Sequence, residues 1–234
     1  MTGIIAHRGN TGDTPENTRG AFEQSLALDI AGVECDVNMT KDGHVVIIHD
    51  LTVDRTSNGS GAVAELELAQ LRELNFGTED SPEQIMLLDE LLELVADHPG
   101  KRVLIETKHP SPAGATLEEA VADIVRARGM DDGEQVACIS FNPEAIERFR
   151  TLLPRVPSFL LCDPSEELPT DLRGATGLGP SIAQAQRESM REPAYVWTVN
   201  QPREMDWCLT HGVELMATDL PQLAVDLSHG KEEA

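Results

Sequence analysis

Short apolar runs rich in β-branched residues alternate with longer amphipathic stretches along this whole chain, and this alternation limits the fold more than any other feature. In the longer stretches apolar residues recur at the i, i+3, i+4 and i+7 spacing of a helix that packs on one side. The predicted strands are 4–7, 32–37, 103–108, 136–141, 158–162, 175–179, 195–200 and 214–219, and the main predicted helices are 18–28, 87–97, 117–128, 143–153 and 202–211. Eight strands alternating with helices over 234 residues predict the α/β class, as a (β/α)8 TIM-type barrel.

One segment departs from this alternation, because the strand-like runs 32–37 and 45–49 follow each other closely. Neighbouring parallel strands need a connection of roughly a dozen residues or more, so these two runs require an antiparallel hairpin. Asp42-Gly43 supplies its turn. The hairpin is expected to bring His49 back to the end of the second strand.

The hairpin and the polar stretch after it predict a small insertion after the second strand, at about 38–77. The insertion is expected to belong to a single barrel domain over 1–228, followed by a disordered tail at 229–234. The sixth strand, 175–179, is short and glycine-rich, so a loop is its alternative.

The formal net charge of −23 restricts the partners. Nucleic acid and anionic membranes would be repelled, so neither a nucleic-acid partner nor a stable membrane association is predicted. The chain has no run of eighteen apolar residues, no signal-peptide pattern at its start, and four scattered cysteines without a C-x-x-C pair. We therefore expect a cytoplasmic protein with buried, reduced thiols, and the sequence gives no basis for an oligomeric state.

Carboxylates fall at the ends of two predicted parallel strands. Glu34 and Asp36 are two residues apart in a strand, so they share a face, and Glu106 and Lys108 repeat that spacing. Carboxylates this close repel each other unless a cation lies between them. The ends of barrel strands face the catalytic mouth, and three oxygen ligands suit magnesium or calcium. A lone E-x-D pair is more often ordinary surface, and this alternative is weakened by the third carboxylate.

Two histidines are expected near the same mouth. His7 ends the first predicted strand and is followed by Arg8, whose planar guanidinium suits phosphate. His49 follows the apolar run 45–48, an unusual place for a polar residue without a function. Either histidine alone is more often a structural hydrogen-bonder. Together with a metal site they form an acid and a base for phosphoryl transfer, and a carboxylate-pair glycosidase would not need both of them with Arg8.

The order and spacing of these residues resemble those of the glycerophosphodiester phosphodiesterase family, from residue 4 to about residue 223. The motifs that carry the resemblance are His7-Arg8-Gly9, Glu16-Asn17-Thr18, Glu34-x-Asp36, Asp42-Gly43, His49-Asp50, Arg55-Thr56, Glu106-x-Lys108, Ser140-Phe141, Trp197-Thr198-Val199-Asn200 and Thr218-Asp219. The motifs are more specific in the first half than in the second. Met86 stands where the family often has proline before a helix, and 164–191 contains no family motif.

The resemblance implies a barrel with an insertion after its second strand and the conversion of a small-molecule glycerophosphodiester and water into glycerol 3-phosphate and an alcohol. A cyclic phosphate is the implied intermediate. The implied metal ligands, for Mg²⁺ or Ca²⁺, are Glu34, Asp36 and Glu106, and the implied acid–base pair is His7 and His49, either of which could take the first proton. The implied substrate-binding residues are Arg8, Asn17, Lys108 and Trp197, with the start of the first helix as an alternative role for Asn17.

Two other functions remain as alternatives. A lysophospholipase D-type enzyme or a cyclising phospholipase would use the same barrel and metal, but would be expected to carry an apolar surface loop for lipid. The insertion is rich in Ser, Gly, Asn and Glu instead. A catalytically silent binding protein would not need every acid, base and cation. Asp219 ends the last predicted strand and could line the pocket, but its place before Leu220-Pro221 favours a helix cap. His109 follows Lys108 and could approach the mouth, but a structural role is favoured.

Overall fold

The computed structural model describes residues 2–9, 12, 14–191 and 194–232. The strands are β1 (Gly3–Ala6), β2 (Gly32–Met39), β3 (Val45–Ile47), β4 (Arg102–Thr107), β5 (Val136–Ser140), β6 (Ser158–Leu161), β7 (Gly177–Gly179), β8 (Tyr195–Val196) and β9 (Leu215–Thr218). The helices are α1 (Arg19–Leu26), α2 (Leu68–Leu71), α3 (Leu88–Ala96), α4 (Thr116–Ala127), α5 (Pro143–Leu152), α6 (Ile182–Arg187), α7 (Pro202–Thr210) and α8 (Pro221–Glu232). All eight predicted barrel strands are therefore present, including the glycine-rich sixth strand.

These eight strands form one parallel sheet in the order β7-β6-β5-β4-β2-β1-β9-β8. The two ends of the sheet meet through a parallel bridge between Ser181 and Trp197, where the Ile182 amide donates to the Trp197 carbonyl at 2.8 Å. Helices alternate with the strands. The result is a nearly closed barrel, which confirms the predicted (β/α)8 class.

The core has two apolar layers that follow the strand alternation. Val33, Cys35 and Val37 of β2 face outward and pack among the helices in the larger cluster. Leu104 of β4 faces inward and contributes to a smaller cluster that fills the barrel, where the Phe159 and Tyr195 rings stack at 6.2 Å. All four cysteines are buried free thiols, as predicted. Glu34 and Asp36 alternate with these outward-facing residues of β2. Their side chains consequently point into the barrel.

The predicted hairpin is present. β3 pairs antiparallel with β2, with Val37 opposite Ile47 and Met39 opposite Val45. Gly43 takes the left-handed backbone conformation at the turn, with φ 86°, as the Asp-Gly dipeptide favours.

The stretch after the hairpin packs over a small apolar cluster of its own, and the members of this cluster are Val46, Ile48, Val53, Val63, Leu71, Phe76 and Ile85. This separate core holds the insertion in place beside the barrel mouth.

The end of the chain differs from the prediction. A disordered tail was expected from residue 229, but α8 continues through Glu232. His229 lies in its last turn, with Nε2 3.3 Å from Asp29 Oδ2, and this contact ties the helix to the barrel. Residues 233–234 of the predicted tail lie outside the described residues. Within the described part of the chain, no helix is long and apolar enough to cross a membrane.

Candidate active site

Three carboxylates meet at the mouth of the barrel. β2 and β4 are parallel neighbours whose register places Asp36 beside Glu106. Glu34 lies two residues before Asp36, on the same face of β2. The ligand oxygens of these three residues all lie within 4.8 Å of one another, and the side chains are buried, with relative exposures of 1%, 0% and 7% for Glu34, Asp36 and Glu106. The structure thus brings together the whole predicted metal-binding set.

Burial of these charges is costly without a cation. Burial, together with the negative charge of Asp36, raises the pKa of Glu34 to about 8, and burial likewise raises the pKa of Glu106. Asp36 differs: burial would raise its pKa, but the charges of Lys108 and Arg8 outweigh burial and lower it.

The donor set fits a divalent ion. Glu34 Oε1 is buried and has no hydrogen-bond partner among the described residues. An unpartnered buried carboxylate oxygen beside two more carboxylates matches the all-oxygen coordination that magnesium and calcium prefer. This cluster could therefore hold a metal ion.

Lys108 and Arg8 lie against the same carboxylates. Lys108 Nζ is 2.6 Å from Glu106 Oε1 and 2.9 Å from Asp36 Oδ1, and Arg8 Nε is 3.3 Å from Asp36 Oδ2. The Arg8 amide also donates to Glu34 Oε2 at 2.9 Å. Two cations therefore lie at the edge of the carboxylate cluster, each within ion-pair distance of its oxygens. An anionic group could bind there.

Two backbone conformations near the mouth are unusual. Arg8 and Asn17 have φ of 55° and 59°, in the left-handed region that costs energy for residues other than glycine. The backbone N–H of Asn17 donates to the Arg8 carbonyl at 2.8 Å. The side-chain Nδ2 of Asn17 donates to Asp36 Oδ2 at 3.0 Å. Thr18, rather than Asn17, caps α1. Asn17 is thus tied to the carboxylate cluster and does not cap the helix.

His7 stands directly after β1, with its side chain 17% exposed. Its Nδ1 lies 2.8 Å from Asp219 Oδ1, and its Nε2 lies 4.0 Å from Glu34 Oε2. Burial would lower the pKa of His7, but the hydrogen bond to Asp219 and the charge of Glu34 outweigh burial and raise it. The raised pKa favours the protonated imidazolium near neutral pH, as an acid requires.

His49 has the same kind of partner and the opposite shift. Its Nδ1 lies 2.7 Å from Asp50 Oδ1, while Arg55 Nε donates to Asp50 Oδ2 at 2.7 Å. Burial lowers the pKa of His49, and the charges of Lys108 and Arg8 lower it further against the opposing effect of Asp36 and Asp50. Asp50 raises the pKa of His49 through its hydrogen bond, but this effect is smaller than the lowering by burial and by the two cations. A neutral imidazole is the form that a base requires.

Asp219 is the functional residue that the sequence interpretation missed. It was expected to cap a helix, but it binds His7, and its Oδ2 accepts a 2.6 Å hydrogen bond from Asn200 Nδ2. The turn before α8 is stabilised by Thr218 Oγ1, which accepts from the Leu220 amide at 3.0 Å. The motif Thr218-Asp219 was recognised, but nothing in its spacing indicates a partner 212 residues away.

Glu16 and Arg55 were likewise quoted as motif residues without a role. Arg55 Nη1 and Nη2 each donate to a Glu16 oxygen at 2.8 Å, and Glu16 Oε1 also accepts from Arg8 Nη1 at 2.9 Å. The insertion is thereby joined to the first loop of the barrel beside both Arg8 and Asp50. Sequence spacing does not predict this contact, because Glu16 and Arg55 lie in separate loops.

Trp197 and His109 lie just beyond the ends of β8 and β4. Trp197 Nε1 donates to the Gly179 carbonyl at 2.7 Å, and its ring meets Phe141 edge to face at 5.4 Å. His109 Nε2 is 2.7 Å from Glu118 Oε1, which agrees with its structural interpretation. Trp197 follows β8, which β9 separates from β1 and His7.

Comparisons with known proteins identify relatives of this chain. The model of the glycerophosphoryl diester phosphodiesterase family matches residues 7–223. A glycerophosphodiester phosphodiesterase of Caldanaerobacter subterraneus is 33% identical, and the match covers 96% of each chain. A glycerophosphodiester phosphodiesterase structure from Parabacteroides distasonis has a TM-score of 0.84 at 24% identity, covering 99% of this chain and 98% of that one. An Oleispira antarctica phosphodiesterase in complex with the product sn-glycerol-3-phosphate has a TM-score of 0.82 at 23% identity, covering 97% of each.

Proposed function

Because this chain belongs to the glycerophosphoryl diester phosphodiesterase family and is a phosphoric diester hydrolase, we propose that it uses a divalent metal ion and two histidines to convert glycerophosphodiesters into glycerol 3-phosphate and an alcohol. One observation carries the proposal. His7 and His49 flank the carboxylate cluster, each with a carboxylate partner on Nδ1 at 2.8 and 2.7 Å, so that Nε2 of each ring is available for proton transfer. The complex of the Oleispira relative with sn-glycerol-3-phosphate supports the same product class.

The residues that would hold magnesium or calcium are Glu34, Asp36 and Glu106. When bound, the ion supplies electrostatic stabilisation of the phosphoryl oxygens as negative charge builds on them. Arg8 and Lys108 lie against the same carboxylates and are the side chains that would bind the remaining phosphate oxygens. Asn17 holds Asp36 and thereby orients one ligand.

The two histidines divide the proton transfers. Neutral His49 takes the proton of the neighbouring glycerol hydroxyl as its oxygen attacks phosphorus, and protonated His7 gives a proton to the oxygen of the departing alcohol. A five-membered cyclic phosphate results. Water then opens this ring with the roles reversed: His7 takes the proton of the water, His49 returns one to the glycerol oxygen, and both histidines regain their starting states.

Surface chemistry favours small diesters over lysophospholipids. The large apolar side chains that are exposed in the described part of the chain are Leu51, Phe141 and Leu172, at 44%, 41% and 38%. They lie in different segments of the chain and not in one apolar loop. Only Leu51 belongs to the insertion, so the surface beside His49 offers little area for an acyl chain.

The direct test is to incubate the purified protein with glycerophosphocholine and to measure glycerol 3-phosphate and choline. We expect equal amounts of both products when magnesium or calcium is present. The absence of both products with either metal would show that the proposed activity is wrong. Faster cleavage of lysophosphatidylcholine than of glycerophosphocholine would favour the lysophospholipase D-type alternative.

Replacement of Asp219 by asparagine is expected to lower kcat/KM by about tenfold to a hundredfold, less than the loss of a catalytic histidine. Asparagine removes the charge that raises the pKa of His7, so His7 loses its proton at lower pH and the alkaline limb of the pH profile moves to lower pH. The measurement is kcat/KM against pH. Asp226→Asn is the matched control, because Asp226 is an exposed carboxylate on α8 that pairs with Gln222 at 2.8 Å. An unmoved alkaline limb in Asp219→Asn would contradict the role of Asp219.

A further inference from the structure

A large open cavity lies at the barrel mouth on the side away from the insertion. Its volume is about 500 Å³, and it is lined by Phe141 after β5, by the end of β6, and by the segment 163–169. This wall is attached to the metal-binding strand, since Ser140 Oγ donates to the Thr107 carbonyl at 3.0 Å. Thr107 lies between Glu106 and Lys108 in the sequence. The cavity is therefore next to the place where the phosphate is proposed to bind. No step of the proposed reaction involves its lining residues.

One wall of this cavity is aromatic. Phe141 is 41% exposed, although it meets Trp197 edge to face at 5.4 Å and 83°. Phe141 is the aromatic residue among the lining residues, and the indole nitrogen of the neighbouring Trp197 already donates to the Gly179 carbonyl, so this wall offers π surface and no free donor to a ligand. An exposed aromatic face attracts a cation or an apolar group.

The other wall carries negative charge without compensation. Asp163, Glu166 and Glu167 are exposed and line the cavity, and no lysine or arginine is among the lining residues. His109 also lines the cavity, but its Nε2 is 2.7 Å from Glu118 Oε1 and so is engaged away from these three carboxylates. Glu166 and Glu167 form no ion pair with a basic side chain in the described part of the chain. A hydrogen bond from Ser165 lowers the pKa of Asp163, so this group stays ionised. A neutral apolar ligand would gain nothing from these charges, whereas a cation would.

The cavity on the opposite side of the mouth, beside the insertion, is different. Its volume is about 460 Å³, and the hydroxyl and amide side chains that line it are Thr56, Ser57, Asn58 and Asn75. Its charged lining residues include the cation Arg55, which is paired with Glu16, and also Glu79. Hydrogen-bonding groups of this kind suit the hydroxyls of a glycerol moiety. The two cavities thus offer different chemistry to the two sides of a bound phosphodiester.

We propose that the cavity between Phe141 and the acidic segment 163–169 is the subsite for the departing alcohol, and that it selects alcohols carrying a positively charged ammonium group, as in choline or ethanolamine diesters. The ammonium would contact the Phe141 ring while Glu166 and Glu167 balance its charge. This inference rests on the proposed function. It assigns the stretch that has no family motif to substrate selection.

The test compares kcat/KM for glycerol 3-phosphate release from glycerophosphocholine and from glycerophosphoglycerol, whose head group is neutral, using enzyme saturated with its divalent metal. Wild-type protein is expected to prefer the choline diester by about tenfold, and Phe141→Leu and Glu167→Gln are each expected to reduce this preference severalfold. Leucine keeps the apolar volume and removes the π face, and glutamine keeps the shape and removes the charge.

Glu214→Gln is the matched control for charge. Glu214 is an exposed glutamate just before β9, at the other end of the barrel, and its replacement removes the same charge without touching the cavity. Its preference should equal that of the wild type. Equal cleavage of both diesters by the wild type, or an unchanged preference in both cavity variants, would overturn the subsite while leaving the hydrolytic function standing. Failure to release glycerol 3-phosphate from either diester would instead overturn the proposed function and the subsite with it.

Discussion

Replacing His49 by alanine is expected to lower kcat/KM for glycerophosphocholine by about 10²–10⁴-fold, and replacing His7 is expected to cost a similar factor, because each removes one proton-transfer group from the reaction. Both side chains are partly exposed, at 17% for His7 and 32% for His49, and neither belongs to an apolar cluster, so both variants should keep the fold. The measurement is steady-state release of glycerol 3-phosphate at saturating metal, with circular dichroism to confirm folding.

The leaving group separates the two roles. A glycerophosphodiester of p-nitrophenol releases an anion that needs no proton, so an enzyme without its acid should recover much of its rate on this substrate. We expect the release of p-nitrophenolate in a single turnover to recover in His7→Ala and to remain slow in His49→Ala. Opening of the cyclic phosphate, for which His7 is the proposed base, should stay slow in His7→Ala. His44→Ala is the control, since His44 lies in the turn of the same hairpin with a side chain that is 48% exposed. Recovery by His49→Ala instead would reverse the assignment, and full activity in either alanine variant would refute it.

Much of the fold could be predicted because its signals are local. Strand alternation and helical spacing are properties of short segments, and the short link after the second strand leaves only a hairpin. The carboxylate site could be predicted for the same reason, because residues two apart in a strand share a face and parallel strands end at one edge of the barrel. The main error in strand length concerns β8, expected to reach residue 200 but ending at Val196. Beyond it Trp197 closes the barrel through a single bridge to Ser181.

The partners of the two histidines could not be predicted equally well. Asp50 follows His49 directly in the sequence, so their pairing could have been predicted. Asp219 meets His7 only because β9 closes the barrel beside β1, with Ala6 opposite Thr218. This pairing depends on the register of two strands from opposite ends of the chain. The helix-cap interpretation rested on the neighbouring proline, but Leu220 is the residue directly before α8, and both Asp219 oxygens are engaged by His7 and Asn200.

The contact between Glu16 and Arg55 has a consequence for the insertion. Arg55 binds Glu16 and Asp50 together, so one guanidinium from the insertion fixes the carboxylate that orients His49. Hydrogen bonds from Arg55 hold the pKa of Asp50 well below its usual range. The insertion thus contributes to the surroundings of His49, the proposed base, as well as to the shape of the mouth.

Removing the divalent metal is expected to abolish turnover and to make the stability of the protein fall as pH rises. In the metal-free fold the pKa of Glu34 is raised from 4.5 to about 8 by burial and by Asp36. Between these two pH values the folded protein binds a proton that the unfolded chain has released, so folding stability is lost as pH rises, by at most about 1.4 kcal/mol per pH unit. A bound divalent ion would balance the carboxylates and remove this loss. Thermal unfolding is measured from about pH 5 to pH 8, the range in which the raised pKa of Glu34 affects stability. One series with EDTA and one with magnesium or calcium give the pH dependence of stability without and with the metal.

Glu34→Gln separates the charge effect from the metal effect. Glutamine cannot ionise, so the metal-free variant should be more stable than metal-free wild type at the alkaline end of the range, and its pH slope should be flatter. It should also bind the ion more weakly in calorimetric titration and show little turnover, since one anionic ligand is gone. Glu214→Gln, which removes an exposed charge at the opposite end of the barrel, should match wild type in all three measurements. Full turnover in EDTA, or unchanged metal affinity in Glu34→Gln, would show that these carboxylates do not form the metal site.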